Sequence, residues 1–301
     1  MDRLEAMGVL LAAVEAGSLS GAARRLHMPL PTVSRKVADL EAHLKTQLLI
    51  RSSRRLALTD AGQAYIAACR RILDEVNEAE RAASGEYQVP KGDLIVTAPV
   101  AFGRLYVLPI ITAFLKAYPE IDVRLVLADR MMSLTEDHVD VALRFGHLSD
   151  SSLIAIRLGE MPRVIAGSPA YLAARGLPQK PQDLERHDCI SFEAYAPIDA
   201  WSFRVDRADV SVPLHPRLVV NTAEAAADAA AAGVGLVRMM AYQVAAGVRS
   251  GALRTILQDF ELPPVPVHLL HGGGRLLPLK LRAFLDFATP RLKTALAEIV
   301  V

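Results

Sequence analysis

The chain is predicted to be an α/β protein that carries an all-α-type winged helix-turn-helix head on a long linker helix. Three observations carry this. Residues 1–62 hold three short helical patterns and then a hairpin-like segment dense in arginine. Residues 60–83 hold one uninterrupted helical pattern. Beyond about residue 92, strand-like and helix-like stretches alternate, as parallel α/β units do.

Composition agrees with this class. At 301 residues the chain is long enough for two or three domains. Hydrophobic content of 52% against 22% charged is globular, with apolar surface for a sizeable core. The net charge of +1 says nothing about nucleic acid, but its distribution does. Residues 1–62 carry Arg3, Arg24, Arg25, Arg35, Lys36, Lys45, Arg51, Arg54 and Arg55, against Asp2, Glu5, Glu15, Asp39, Glu41 and Asp60. A local basic face of this kind suits phosphate. The 2 cysteines, Cys69 and Cys189, form no metal spacing and read as reduced thiols. The start MDRLEAM has no apolar signal core, and no run of about 18 apolar residues is seen. A cytoplasmic protein without a membrane segment is expected.

In the head, Leu4, Met7, Leu10, Leu11 and Val14 recur at helical spacing over residues 3–16. Gly17 ends that helix, and Ser18 or Ser20 can cap the next. Ala22, Ala23 and Leu26 give the second helix its inner face. Pro31 fits the first turn of a third helix, where its missing N–H costs nothing. Val33, Val37, Leu40 and Leu44 stripe that helix, and Pro31, Thr32, Ser34, Arg35 and Lys36 lie near its start. Short polar side chains and a base at this end are what base reading requires, and Arg35 can hold a guanine through two hydrogen bonds. Leu48–Ile50 and Leu56–Leu58 read as strands around a tip holding Arg51, Ser53, Arg54 and Arg55, a wing suited to phosphate. A solvated face of an ordinary helical bundle is the alternative.

Thr59-Asp60 opens a helix to about Ala83, roughly 35 Å long. Tyr65, Cys69, Ile72, Val76, Ala79 and Ala83 follow 4-3 spacing, a narrow seam suited to a partner helix or to the chain's own body. Ser84–Gly92 reads as a hinge. Strands are expected at 94–98, 123–128, 140–144, 163–167, 189–192, 235–239 and 267–271. Helices are expected at 104–117, 222–232 and 279–296, the last kinked or split by Pro290.

Enzyme signatures are weak. His271-Gly272-Gly273-Gly274 looks like an oxyanion loop, but no G-x-S-x-G accompanies it. Gly233-Val234-Gly235 follows a helix and lacks a third glycine. His268 and His271 would face opposite sides of a strand, with no third ligand in view. No catalytic residue, metal or cofactor is expected.

Residues 1–62 resemble the N-terminal domain of LysR-type transcriptional regulators. The marks are Gly17-Ser18-Leu19, Ala22-Ala23-x-x-Leu26, Pro31-x-Val33-Ser34, Leu40-Glu41, Arg51 and Leu58-Thr59-x-x-Gly62. The resemblance continues through Phe102-Gly103-Arg104, Tyr118-Pro119, Asp140–Arg144 and Leu279–Phe287, so it covers nearly the whole chain. Pro29 stands where the family usually has a capping serine, Lys45 where glycine is common, and Leu49 where phenylalanine is common.

The resemblance implies a winged helix-turn-helix over 1–59, a dimerising linker helix and hinge over 60–89, and an effector-binding domain over 90–301. The last would resemble periplasmic solute-binding proteins, with subdomain I at about 90–163 and 268–301 and subdomain II at about 164–267. Crossovers are expected near Arg163–Ser168 and Pro266–His271. The effector would lie between the subdomains, against Pro99, Val100, Ala101, Phe102, Arg144, Phe192, Asn221 and Thr222. The helix after Pro99 favours an anion, Arg144 can pair with a carboxylate, and Asn221-Thr222 can equally be a helix cap. The expected partners are double-stranded DNA, a carboxylate or aromatic small molecule, and further copies as a homodimer or homotetramer. A solute-binding or enzyme-like module with a partner-docking N-terminus, and a constitutive architectural DNA binder, are the competing readings.

Overall fold

The computed structural model describes residues 1–51, 56–83, 89–129, 134, 137, 139–146, 148, 153–192, 200–272 and 277–299. The chain divides into two units, Met1–Gln88 and Val89–Val301.

In the first unit, α1 (Arg3–Glu15) starts on Asp2, whose carboxylate accepts from the amides of Leu4 and Glu5 at 3.0 and 3.2 Å. The second helix, α2 (Leu19–Arg25), starts on Ser18, whose hydroxyl accepts from the Gly21 amide at 3.0 Å. The third, α3 (Leu30–Leu44), starts on Pro29 without a side-chain cap and ends on Lys45 at φ 51°, the left-handed conformation usually given to glycine. Then β1 (Leu49–Arg51) pairs antiparallel with β2 (Leu56–Leu58), Leu49 opposite Leu58. The 24-residue α4 (Asp60–Ala83) follows.

Two expectations are corrected here. The inward face of α1 is Ala6, Val9, Leu10 and Ala13, while Leu4 is 40% exposed. Alanines win because α1 and α2 approach closely, with Ala22 and Ala23 on the facing side. The expected seam of α4 is also divided. Tyr65 packs against the head's core and Cys69 is fully buried, so the seam's first turns serve the chain itself, while Ile72 and Val76 stay half-buried.

Gly62 shows how closely α4 sits on the wing. A Cβ there would lie 2.0 Å from the Leu48 carbonyl oxygen. The Thr59 hydroxyl fixes the same corner, donating to the Gln47 carbonyl at 2.7 Å and accepting from the Gly62 amide at 2.9 Å.

The second unit contains two five-stranded sheets. Its elements begin with β3 (Gly92–Ala98), α5 (Val100–Phe102), a π-helical turn Gly103–Val107, α6 (Leu108–Ala117), β4 (Ile121–Leu127), β5 (Val141–Phe145) and β6 (Leu153–Met161). They continue with β7 (Arg163–Gly167), α7 (Pro169–Arg175), β8 (Cys189–Phe192), β9 (Ala200–Val205), β10 (Ala208–Pro213), β11 (Pro216–Val220), α8 (Ala223–Ala231) and β12 (Leu236–Met240). The last are α9 (Ala241–Arg249), β13 (Arg254–Ile256), β14 (Val265–Gly272) and α10 (Leu279–Ala297). The strand orders are β4-β3-β5-β14-β6 and β11-β8-β12-β7-β13, with β9 and β10 forming a separate hairpin.

The sheets are mixed rather than parallel throughout. β3 runs parallel to β4 and β5, but β14 is antiparallel to β5 and β6. Likewise β12 is parallel to β8 and antiparallel to β7. The antiparallel neighbours flank the two crossings between sheets, where no helix is available to return the chain. The crossings lie immediately before the stretches near which they were expected. β7 lies wholly in the second sheet and β14 wholly in the first, so the chain passes at Pro162 and again between Phe260 and Val265. Pro290 lies inside the single helix α10, which it does not split.

One apolar core runs through both sheets, from Val96, Phe102, Phe114 and Phe284 to Ile190, Ala226, Val237 and Met239. The helical run Val100–Ala117 is long and apolar enough to pass for a membrane span, but Arg104 and Lys116 interrupt it, so it is not the uninterrupted apolar run whose absence was expected. Its Phe102, Val107, Ile111 and Phe114 instead close over the first sheet. A Cβ at Gly103 in that run would meet Leu127 Cδ2 at 2.1 Å and Ala98 Cβ at 3.2 Å, so a larger residue would have to displace the Leu127 side chain.

Beside the second crossing, the Arg238 guanidinium donates twice to Glu261 Oε2, at 2.5 and 3.2 Å, and lies 5.0 Å from the Phe203 ring centroid. Both charged side chains are nearly buried, at 7% and 9% exposure. Burial pushes the Glu261 carboxyl up, and the Arg238 charge opposes that shift.

Two stability predictions follow. Gly62→Ala forces the Leu48–Gly62 backbones apart and is expected to cost about 3 kcal/mol by urea denaturation. Glu261→Ala leaves Arg238 buried and unpaired, and the same measurement should give a loss of about 3–5 kcal/mol.

Candidate DNA interface and effector cleft

The candidate DNA interface is set by how α3 is held. Val33, Val37 and Leu40 are fully buried, so the opposite side of the helix must face out. Pro31 and Arg35 lie exposed on that side, while Thr32 and Ser34 are half-buried at its flanks. At the far end, Glu41 Oε1 accepts from the amides of Leu48 at 2.8 Å and Leu49 at 3.0 Å. One carboxylate thereby ties the helix to the wing's first strand.

Lys36 sits differently from the other expected DNA contacts. Its ammonium lies 2.5 Å from Glu5 Oε2 on α1, and its side chain is only 20% exposed. Glu15 engages Arg25 at 2.6 Å and Arg70 at 3.8 Å in the same way. Acids on α1 therefore take up bases that composition alone would assign to phosphate. Arg51 is the last residue of β1. Ser53, Arg54 and Arg55 lie outside the described residues.

The expected effector residues come from both subdomains: Pro99–Phe102 follow β3, Arg144 lies on β5, Phe192 ends β8 and Asn221-Thr222 precede α8. Pro99 precedes α5, and the Val100 amide donates to Asp129 Oδ1 at 3.1 Å. A carboxylate of the chain itself thus stands where the start of this helix favours an anion. Burial raises the Asp129 pKa, the Val100 amide opposes this, and Glu224 adds to it. Ala101 and Phe102 are buried, Phe102 completely. The Phe102 ring lies 4.8, 5.1 and 5.2 Å from those of Tyr106, Phe145 and Tyr242. Tyr242 also stacks on Phe145 at 5.6 Å, joining a helix of the second subdomain to a strand of the first. Burial pushes the Tyr242 hydroxyl pKa well up, and Asp129 and Glu224 add to it.

Arg144 is half-buried on β5, opposite His268, and donates to the Leu143 carbonyl at 3.4 Å. Phe192 ends β8 and packs on the shared core. Asn221 is exposed, and Thr222 caps α8 by accepting from the Ala225 amide at 3.4 Å. Next to it, Glu224 lies 3.8 Å from Arg104 on the π-helical turn, an ion pair across the two subdomains. Sequence reasoning missed Asp129, Tyr106, Glu224 and Tyr242. Tyr106 follows the Phe102-Gly103-Arg104 mark closely enough to have been included; the others carry no local signature.

Residues 88–293 match the LysR substrate binding domain, and residues 4–63 match the bacterial regulatory helix-turn-helix protein, lysR family. The chain belongs to the LysR-type transcriptional regulators. An HTH-type transcriptional regulator from Xanthomonas campestris is 35% identical, over 94% of this chain and 84% of that protein. The Escherichia coli HTH-type transcriptional activator AaeR is 32% identical, over 96% and 94%. Among solved structures, CrgA of Neisseria meningitidis, a LysR-type transcriptional regulator, is 31% identical with TM-score 0.61, over 96% of this chain and 98% of that one. The Vibrio cholerae virulence activator AphB is 25% identical with TM-score 0.60, over 95% and 98%. This regulator is thus a DNA-binding protein with a two-subdomain effector domain, and not an enzyme.

Glu5→Gln should release Lys36 toward phosphate. DNA affinity is expected to rise on all sequences alike, and log K against log salt to steepen by about 0.9. Fluorescence-anisotropy titrations at several salt concentrations check this; an unchanged slope means that Lys36 does not reach the backbone.

Proposed function

We propose that this regulator reads a symmetric DNA site with paired copies of α3, and that Arg35 carries the base discrimination. The observation behind this is the outward, exposed position of Arg35 beside Pro31 on a helix whose opposite side is fully buried. Thr32, Ser34 and the wing residues Arg51, Ser53, Arg54 and Arg55 position the helix on the phosphates. Pairing of copies runs through the remaining seam of α4, at Ile72, Val76, Ala79 and Ala83. The protein works in the cytoplasm, where its DNA is.

The effector in this reading is an aromatic small molecule at the junction lined by Pro99–Phe102, Arg144, Phe192, Asn221 and Thr222. The ring cluster of Phe102, Tyr106, Phe145 and Tyr242 supports it. A carboxylate is less favoured at the helix start, because the Val100 amide already donates to Asp129. Binding shifts the balance between arrangements of the two subdomains, and so the spacing of the DNA-binding heads.

Footprinting on the DNA upstream of the regulator's own gene tests the first part. Arg35→Ala is expected to lose about 1–3 kcal/mol of discrimination while keeping salt-sensitive, unselective binding. Unchanged site preference rejects the role of Arg35. A thermal-shift panel tests the second part: aromatic compounds should raise the melting temperature, and a response to aliphatic carboxylates alone rejects the aromatic class.

A further inference from the structure

We infer that Leu30, at the leading turn of α3, is a specificity residue that reads a thymine through its C5-methyl group. The inference rests on α3 being the recognition helix.

Leu30 is the first residue of α3 and is 45% exposed. The helix does not need it for packing, since Val33, Val37 and Leu40 fill the head's core from the other side. At helical spacing Leu30 continues into half-buried Ser34 and exposed Ala38 along one ridge, beside Pro31 and Arg35. Small side chains along that ridge let the helix approach base edges closely.

The leading turn is also poor in polar groups. Pro29 and Pro31 have no N–H, and the amides of Thr32 and Val33 both donate to the Pro29 carbonyl, at 2.9 and 3.2 Å. Pro29 supplies no side-chain cap. This end of the helix therefore offers DNA three exposed apolar side chains, Pro29, Leu30 and Pro31, with few donors. Residues at this end of a recognition helix are the ones that reach base edges. The only apolar group a base presents in the major groove is the thymine methyl. A leucine there has that group as its natural partner, with Arg35 supplying the polar contact one turn further on.

The test uses the full-length protein and a duplex carrying its footprinted site, with each thymine replaced in turn by deoxyuridine. That exchange removes the methyl and keeps every hydrogen bond. The wild type is expected to lose about three- to five-fold in affinity at one thymine in each half-site. Leu30→Ala should bind the thymine and uracil duplexes equally at that position, with an unchanged melting temperature and oligomeric state. Leu30→Gln should also lose the methyl dependence, which separates loss of the apolar contact from loss of bulk. Absence of a methyl-dependent thymine in the wild type overturns the inference, as does its persistence in Leu30→Ala. So does a change of oligomeric state without a change in the thymine penalty, which would place a second copy of the chain on Leu30. If the wild type prefers no sequence at all, the reading of α3 as the recognition helix fails with it.

Discussion

The proposed DNA-binding surface depends on one carboxylate. Glu41, near the end of α3, accepts from the successive amides of Leu48 and Leu49 at the start of β1, and a charged acceptor holds such amides more strongly than a neutral one. The next contacts continue the same chain. The Leu48 carbonyl accepts from the Thr59 amide at 3.0 Å and lies against Gly62 at the start of α4. The proposed recognition helix α3, the β1–β2 pair and α4 therefore meet at Leu48. The start of α3 has no side-chain cap, so its orientation is set by its buried stripe and by this C-terminal anchor. Lys45 completes the anchor by taking the left-handed conformation where a glycine is common.

The effector unit is organised around a junction at which several charged groups pair within the chain. Asp129 meets the helix start, Arg104 meets Glu224, and Arg238 meets Glu261 beside the crossing. These contacts are not equal in strength. The Arg104–Glu224 pair is largely exposed and contributes little, whereas the Arg238–Glu261 pair is buried and costly to break. A subdomain movement would accordingly exchange the exposed pair and the ring contacts, and leave the buried pair holding the second crossing to its sheet. Pro162 at one crossing and Pro263-Pro264 at the other restrict the backbone torsions available for that movement.

Much of the head could be read directly from the residues, because its signals are local. Ser18, Thr59 and Pro31 act within one helical turn of where they stand, and the stripe Val33–Val37–Leu40 follows from a single period. The inner face of α1 was misread because hydrophobicity favoured leucines, while close helix approach favoured alanines. In the effector unit the buried strands β3, β5, β7 and β12 were legible as short apolar runs. By contrast, β6, β11 and the β9–β10 hairpin mix exposed and buried positions, so that even the apolar runs Leu153–Ile156 and Leu218–Val220 are only partly covered. The direction of the strands beside the crossings depends on partners more than a hundred residues away, as β6 with β14 shows, where Leu153 lies opposite Gly272.

The sequence by itself determined the order of helices, wing, linker helix and α/β body, the outward side of α3, and the family. Each of these rests on periodicity, caps and motif spacing within a few turns of chain. Only the tertiary structure decided which charges remain available and which residues meet at the junction. Glu5 reaches Lys36, Asp129 reaches Val100, Glu224 reaches Arg104, and Tyr242 stacks on Phe145. These pairs are between 29 and 120 positions apart in the chain. Their meeting is set by how helices and sheets pack, which no local pattern encodes.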